Sequence, residues 1–353
     1  MFTKKVVKLK TMLRWSRYSI YRFLAIIVFT VALYEIFDLH WLRIPWTPLA
    51  LIGTAVAFVI GLQNNSAYSR IWEARIIWGG VVNTSRTFGM YVKDMVTNRH
   101  RETKLDDAAT QELIKTLTYR HIAWLTALRH AMRESRPWET VMESRTNREW
   151  RSKVHPPEWD TPLEEDLKPY LSEDELAHVM KLNNKQTAIL YLQSHHLRKL
   201  MEEGGIWEFT FLQLERVLEE LFTLQGKSER IKNFPYPRHF ATLNHYFMWV
   251  FVLLMPWGVV PMFSEIGDQL IPDRQGVGEF FIWLSVPFYV VVAWVFHTME
   301  RIGRTGDNPF EGSVNDVPIS TIARAIEIDL RQNLGETLDE IPEQFPVRHN
   351  TQM

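Results

Sequence analysis

The twelve histidines are the first residues to test for chemistry, because neutral imidazole is both a metal ligand and a general base. His195 and His196 are adjacent, so on a helix their side chains diverge by about 100° and cannot share one metal face. His121 and His130 also miss the i, i+4 spacing that aligns two ligands. The sequence contains no HExxH, no G-x-S-x-G elbow, no P-loop and no G-x-G-x-x-G; Gly276-Val277-Gly278 lacks the third glycine. Glu164, Glu165 and Asp166 lie in a charged stretch, where a solvated surface accounts for them. Cysteine is absent, which excludes disulfides and Cys-ligated clusters. These residues supply no catalytic group, no metal-ligand set and no cofactor motif.

Ion passage asks for different residues. It needs a short apolar constriction that gates by dewetting, next to polar groups that replace part of an ion's hydration shell. The run from Gly53 to Ser69 has that order. On a helix, Thr54, Phe58 and Leu62 share a face that continues to Asn65 or Ser66, with Asn64 beside them. Gly53, Ala57 and Gly61 form a second face of small residues, which lets membrane helices approach closely. Around a symmetric ring, the first face gives an apolar neck opening into a vestibule flanked by Asn64, Asn65 and Ser66. Arg70, Glu73 and Arg75 follow within a few turns. They fit inter-subunit ion pairs that hold the neck helices, or charges that bias ion access. On pattern alone, an ordinary packed span whose polar end leaves the membrane fits the same residues.

The elements that would hold such a neck are apolar windows. Tyr21 to Leu39 carries charges only near its ends, at Arg22, Glu35 and Asp38. Ile44 to Ser69, Phe240 to Phe263 and Phe280 to Thr298 contain no Asp, Glu, Lys or Arg. A membrane helix needs about 20 mostly apolar residues. Four spans are expected, the second beginning at Pro45 and Pro48 and turning polar at Gln63, which is short for a full crossing. The first window is too long, and lacks the cleavage site, for a removable signal peptide. Lys4, Lys5, Lys8, Lys10, Arg14 and Arg17 precede the first span, and Arg301 and Arg304 follow the last. The link between the last two spans, with Glu265, Asp268, Asp273, Arg274 and Glu279, is net negative. The positive-inside rule then puts both termini in the cytoplasm. Across all 353 residues, 40 Lys+Arg against 41 Asp+Glu gives a net charge of −1, which argues against a nucleic-acid partner.

Between the second and third windows the pattern is helical. Leu113, Leu117, Ile122, Leu125, Leu128 and Met132 form an amphipathic stripe that should end near Ser135 and Arg136, before Pro137. Residues 136–171, rich in proline and charge, read as an irregular connection or flexible insertion. Ser172 with Glu175 fits a capping box for a helix that Gly204 and Gly205 would stop. A further helix should run from Glu208 to Gly226, and the chain after Leu330 reads as a loosely ordered tail. The expected division is 1–69 for the N-terminal tail and first two spans, 70–238 for a cytoplasmic helical region, 239–300 for the last two spans, and 301–353 for a cytoplasmic C-terminal segment.

The run Gly61-Leu62-x-Asn64-Asn65-x-Ala67-Tyr68-x-Arg70, with Glu73-Ala74-Arg75 and Trp78-Gly79, resembles the signature of the bestrophin family in its bacterial branch. Glu229-Arg230-Ile231 followed by Pro235-Tyr236-Pro237 resembles the family's turn before the third span, and Asn308-Pro309-Phe310 its post-membrane motif. The resemblance covers roughly residues 10–330. It implies an all-α membrane protein with four spans and a cytoplasmic helical bundle, assembled as a homopentamer around a central pore in the bacterial inner membrane. It implies a neck at Thr54, Phe58 and Leu62, a cytoplasmic aperture at Tyr236, and passage of small monovalent ions. Chloride is the family's majority ion, and cations are possible in the bacterial branch. Animal members carry a calcium clasp at the Asn-Pro-Phe segment. Here Ser313 stands where an acidic ligand is expected, so no calcium activation is implied and Asn308 and Asp316 read as structural caps. Two rivals stand beside the channel: a membrane-anchored enzyme or signalling protein acting through residues 70–238, and a carrier. No internal inverted repeat supports the carrier.

Overall fold

The computed structural model describes residues 1–98, 100–272 and 274–353; Asp273 of the acidic link lies outside them. The chain is an all-α membrane protein, and the four apolar windows fall on four long helical segments able to cross a bilayer. Helix α1 spans Leu9–Ile36 and α2 spans Trp46–Met95. The third crossing is α9 (Arg238–Leu254) followed directly by α10 (Pro256–Leu270), and the fourth comprises α11 (Gln275–Phe281), one 3-10 turn and α12 (Ser285–Gly306). Between them lie α3 (Asp107–Arg133), α4 (Arg145–Arg151), α5 (Leu163–Leu167), α6 (Glu173–Lys181), α7 (Lys185–Glu202) and α8 (Glu208–Asn233); α13 (Ile319–Leu334) follows the last crossing.

Two apolar cores share α2. Val56 and Ile60 pack with Phe23, Ile27 and Val31 of α1, Phe251 and Val252 of α9, and Tyr289 and Ala293 of α12. Farther down, Trp78, Val81 and Phe88 pack with Trp124 and Leu128 of α3, Leu221 of α8 and Leu330 of α13. The second window was expected to be short. Its apolar part opens a helix of 50 residues, about 75 Å long at 1.5 Å per residue, more than twice the hydrocarbon thickness of about 30 Å. Its polar residues do not end it, because its buried face continues without a break into the second core.

Pro256 breaks the third crossing. It has no N–H to offer the carbonyl of Val252 one turn back. The Tyr289 hydroxyl of α12 donates to that carbonyl at 2.9 Å, so the broken rung is closed from a neighbouring helix.

Several expectations for the polar half are revised. The Ser172–Glu175 capping box starts α6, but the helix stops at Lys181, because Asn184 accepts from Thr187 N at 2.9 Å and caps a new helix. Helix α8 runs through Gly226 to Asn233. A glycine costs a helix only about 1 kcal/mol, and Ser228, Ile231 and Lys232 beyond it are buried. Residues 136–171 pack as α4, a 3-10 turn and α5 rather than forming an open insertion. Arg129 anchors them, pairing with Glu158 at 2.6 Å and Asp166 at 2.8 Å. Burial works against the ionised Glu158, yet the Arg129 and Arg133 charges hold its carboxyl below the ordinary range. The tail is not loose either. Arg348 and Thr351 close a two-residue hairpin over His349 and Asn350, both at positive φ, and Thr351 is buried.

Candidate pore-lining site

Helix α2 buries one side. Leu49, Gly53, Val56, Ile60, Gln63 and Ala67 face its own chain. At about 100° per residue, Thr54, Phe58, Leu62, Asn65 and Ser69 point to the opposite side. All five are exposed, Phe58 at 67% and Leu62 at 52%. The stripe continues below through Trp72 and Ile76 to Met90, also exposed. Thr54 satisfies its own hydroxyl by donating to the Ala50 carbonyl at 2.9 Å, which leaves its methyl and oxygen on the open face.

The polar residues after Leu62 divide. Asn65 stays on the open face. Asn64 turns toward α12, donating to the carbonyls of Ile60 at 2.9 Å and Met299 at 3.1 Å. Ser66 is half-buried. The stripe of small residues divides too. A Cβ on Gly53 would lie 2.8 Å from the Phe251 ring, so this position requires glycine within the chain, whereas Ala57 is exposed and a Cβ on Gly61 would meet nothing within 4 Å.

Where α2 leaves the apolar core, a polar lock joins four elements. Buried Gln63 accepts from Asn244 Nδ2 of α9 at 3.1 Å and reaches Asp307 Oδ2 at 3.5 Å. Burial pushes the Asp307 carboxyl up to about 7, the Gln63 hydrogen bond and the Arg70 charge only partly opposing it, and its Oδ1 has no partner among the described residues. Arg70 donates to three carbonyls of its own chain: Asp307 at 2.7 Å, Ile231 at 3.0 Å and Phe234 at 2.9 Å. The last two belong to the end of α8 and the turn that carries Tyr236. Glu73 pairs with Arg230 in the last turn of α8. Arg75 is exposed, with no ion-pair partner among the described residues. Tyr236 is half-buried beside Phe240, ring centroids 6.3 Å apart. Arg70 thus fastens the helix bearing Phe58 and Leu62 directly to the turn bearing Tyr236.

Sequence reasoning left Gln63, Asn244 and Asp307 unassigned. The one signal was an uncharged amide inside an apolar run at Gln63, which in a membrane demands a partner. The histidines take structural positions. His121 stacks on Phe88 at 4.9 Å, and burial lowers its pKa to about 3; His130 meets Asp166 at 2.9 Å, and His196 meets Arg120 at 2.8 Å. No group of three or more candidate metal ligands forms among the described residues. Around the Asn308 motif, Asp316 Oδ2 accepts from Gly312 N at 2.6 Å and Ser313 N at 3.0 Å, Ser313 Oγ donates to Oδ1, and Arg133 lies 3.4 Å away. Gly312 sits at φ +85 against Trp159, a position only glycine fills without strain.

Comparison with known proteins places this architecture. Residues 15–332 match the family model of the bacterial/fungal bestrophin proteins. The voltage-dependent anion channel-forming protein RSc3414 of Ralstonia nicotianae is 27% identical over 301 residues, spanning 84% of this chain and 81% of the relative. The voltage-dependent anion channel-forming protein YneE of Escherichia coli is 25% identical over 334 residues, spanning 93% and 90%. The crystal structure of a bacterial bestrophin homologue from Klebsiella pneumoniae matches the fold with a TM-score of 0.69 at 19% identity, covering 91% of this chain and 98% of that one.

Proposed function

Since the chain belongs to the bacterial and fungal bestrophin family, we propose that it is a homopentameric ion channel of the inner membrane, with both termini cytoplasmic. It passes small monovalent ions down their gradient through a neck built from Thr54, Phe58 and Leu62. The observation that carries this reading is the open face of α2, apolar at Phe58 and Leu62 and polar from Asn65. The α2 face opposite it is fully engaged by α9 and α12, so the open face is free to meet copies of itself across an axis. Ala57 and Gly61 leave room for a neighbouring subunit beside it. An apolar ring passes ions when it is wet and blocks them when it dries, and Asn65 rehydrates what emerges. Tyr236 forms the second narrow point on the cytoplasmic side. The names of the relatives argue for anions, and an exposed, unpaired Arg75 below the neck agrees with that sign.

The test is a reversal potential in a planar bilayer under a potassium chloride gradient, with Leu62→Ala alongside. Reversal near the chloride equilibrium potential establishes an anion channel; reversal near potassium's reverses the ion's sign and keeps the channel. A verified pentamer that stays silent across voltage and pH removes the reading.

A further inference from the structure

Between Met1 and Tyr34 the chain has basic residues and no acidic ones. The structure accounts for two of the seven. Arg17 pairs with Glu149, and Arg22 lies over the Trp249 ring at 5.5 Å while donating to Ser19 Oγ at 3.3 Å. The other five, Lys4, Lys5, Lys8, Lys10 and Arg14, are exposed, and their side chains have no partner among the described residues. Val6, Val7, Leu9 and Leu13 are interleaved with them and are exposed as well.

The segment is fixed in place. Phe2 bridges to Thr351 of the tail hairpin, and Thr3 N donates to the Asn350 carbonyl at 2.8 Å. At its other end, α1 begins at Leu9, and Trp15 Nε1 donates to Asn147 of α4 at 3.0 Å. Counting about 20 residues of hydrocarbon span back from the end of α1 puts the membrane boundary near Arg17. Arg14 then lies at headgroup depth, and Lys10 one turn outside it. A cluster of cations in water, with apolar side chains bared between them, has nothing in its own chain to meet. Against a leaflet, Arg14 at headgroup depth and the lysines within about a Debye length of the surface gain from lipid phosphate.

We propose that Lys4, Lys5, Lys8, Lys10 and Arg14 form a binding surface for anionic phospholipid headgroups, with Leu13 beside Arg14 at headgroup depth. It rests on the membrane reading of α1 and not on ion conduction.

The test uses the full-length protein in a mild detergent, mixed with equimolar phosphatidylglycerol and phosphatidylcholine, repurified, and its co-eluting lipid measured by class. One cation near an anionic surface is worth about a fivefold preference, so the wild type should retain phosphatidylglycerol over phosphatidylcholine by at least about that factor. The combined Lys4→Gln, Lys5→Gln, Lys8→Gln, Lys10→Gln and Arg14→Gln variant should fall to parity. Replacing the four lysines by arginine should keep the enrichment. All five side chains are exposed and unpaired, so gel filtration and melting should not change. Equal enrichment in wild type and glutamine variant, or none in the wild type, overturns the proposal. Loss of enrichment on adding inorganic phosphate overturns it too, because the site would then be one for free anions. Ion flux does not enter this readout, so a silent channel and a failed lipid site are told apart.

Discussion

Arg70 Nε donates to the backbone oxygen of Asp307 at 2.7 Å, across 237 positions of sequence. The same guanidinium holds Ile231 and Phe234. Lysine keeps the charge but is a point donor, unable to span three carbonyls in different directions. Arg70→Lys should therefore lose about two charge-assisted hydrogen bonds, at about 1.5–3 kcal/mol each. A clear fall in melting temperature, read by gel filtration after heating, is expected. An unchanged melting curve would mean that the turn before α9 does not depend on this residue.

Asp307 gives a pH signature of known sign. Its carboxyl is raised to about 7 in the folded protein from an ordinary value of 3.8, chiefly by burial. The folded state therefore binds more protons than the unfolded state between those values, and stability falls as pH rises through the interval. Glu311 and Asp316 are raised by burial as well, so the informative quantity is the difference between wild type and Asp307→Asn. The variant should match the wild type in acid and exceed it progressively as pH approaches 8. Parallel melting profiles at every pH would contradict this.

Tyr289→Phe removes one hydroxyl and nothing else. The Val252 carbonyl, left open by Pro256, would lose the donor that Tyr289 supplies in an apolar surrounding. An unsatisfied buried acceptor costs about 1–3 kcal/mol. Tyr289→Phe combined with Pro256→Ala should recover much of that loss, because alanine returns the backbone N–H. Thermal unfolding of the four proteins forms a double-mutant cycle.

Gly53 and Gly61 should separate folding from assembly. Gly53→Ala drives a methyl into Phe251, and overpacking costs about 1–3 kcal/mol. A Cβ on Gly61 would meet nothing within 4 Å, so Gly61→Leu should fold normally yet lose the proposed pentamer. Light scattering coupled to gel filtration reads the outcome. A stable pentamer carrying Gly61→Leu would mean that no neighbour approaches this position.

What could be read from the sequence was local. Ser172 and Glu175 lie three positions apart and declared their capping box; Pro137 marked the end of α3; four apolar windows declared four crossings. The bestrophin motifs extended this to the fold. What could not be read was decided by partners far along the chain. Gln63 acquires its role from Asn244 and Asp307. Gly226 stays helical because Ile231 and Lys232 beyond it are buried. The 136–171 segment looked irregular because its proline and charge content hides that Arg129 would anchor Glu158. The tail looked unstructured because no pattern within it announces that residues 2 and 3 complete its hairpin.

Helix α2 carries a mechanical consequence. It is one continuous rod from the apolar core to the lower core, with no proline after Pro48 and no interruption of its helix before Met95. A rod of about 75 Å tilted by about 1° moves its far end by about 1.3 Å. Tilting near Phe88 or Met90, where α3 and α13 pack against it, would thus be carried to Phe58, about 45 Å away along the same helix, as about 0.8 Å per degree. The polar lock at Gln63 and Arg70 lies between these points, so any such tilt must carry Asn244, Asp307 and the turn before α9 along with it.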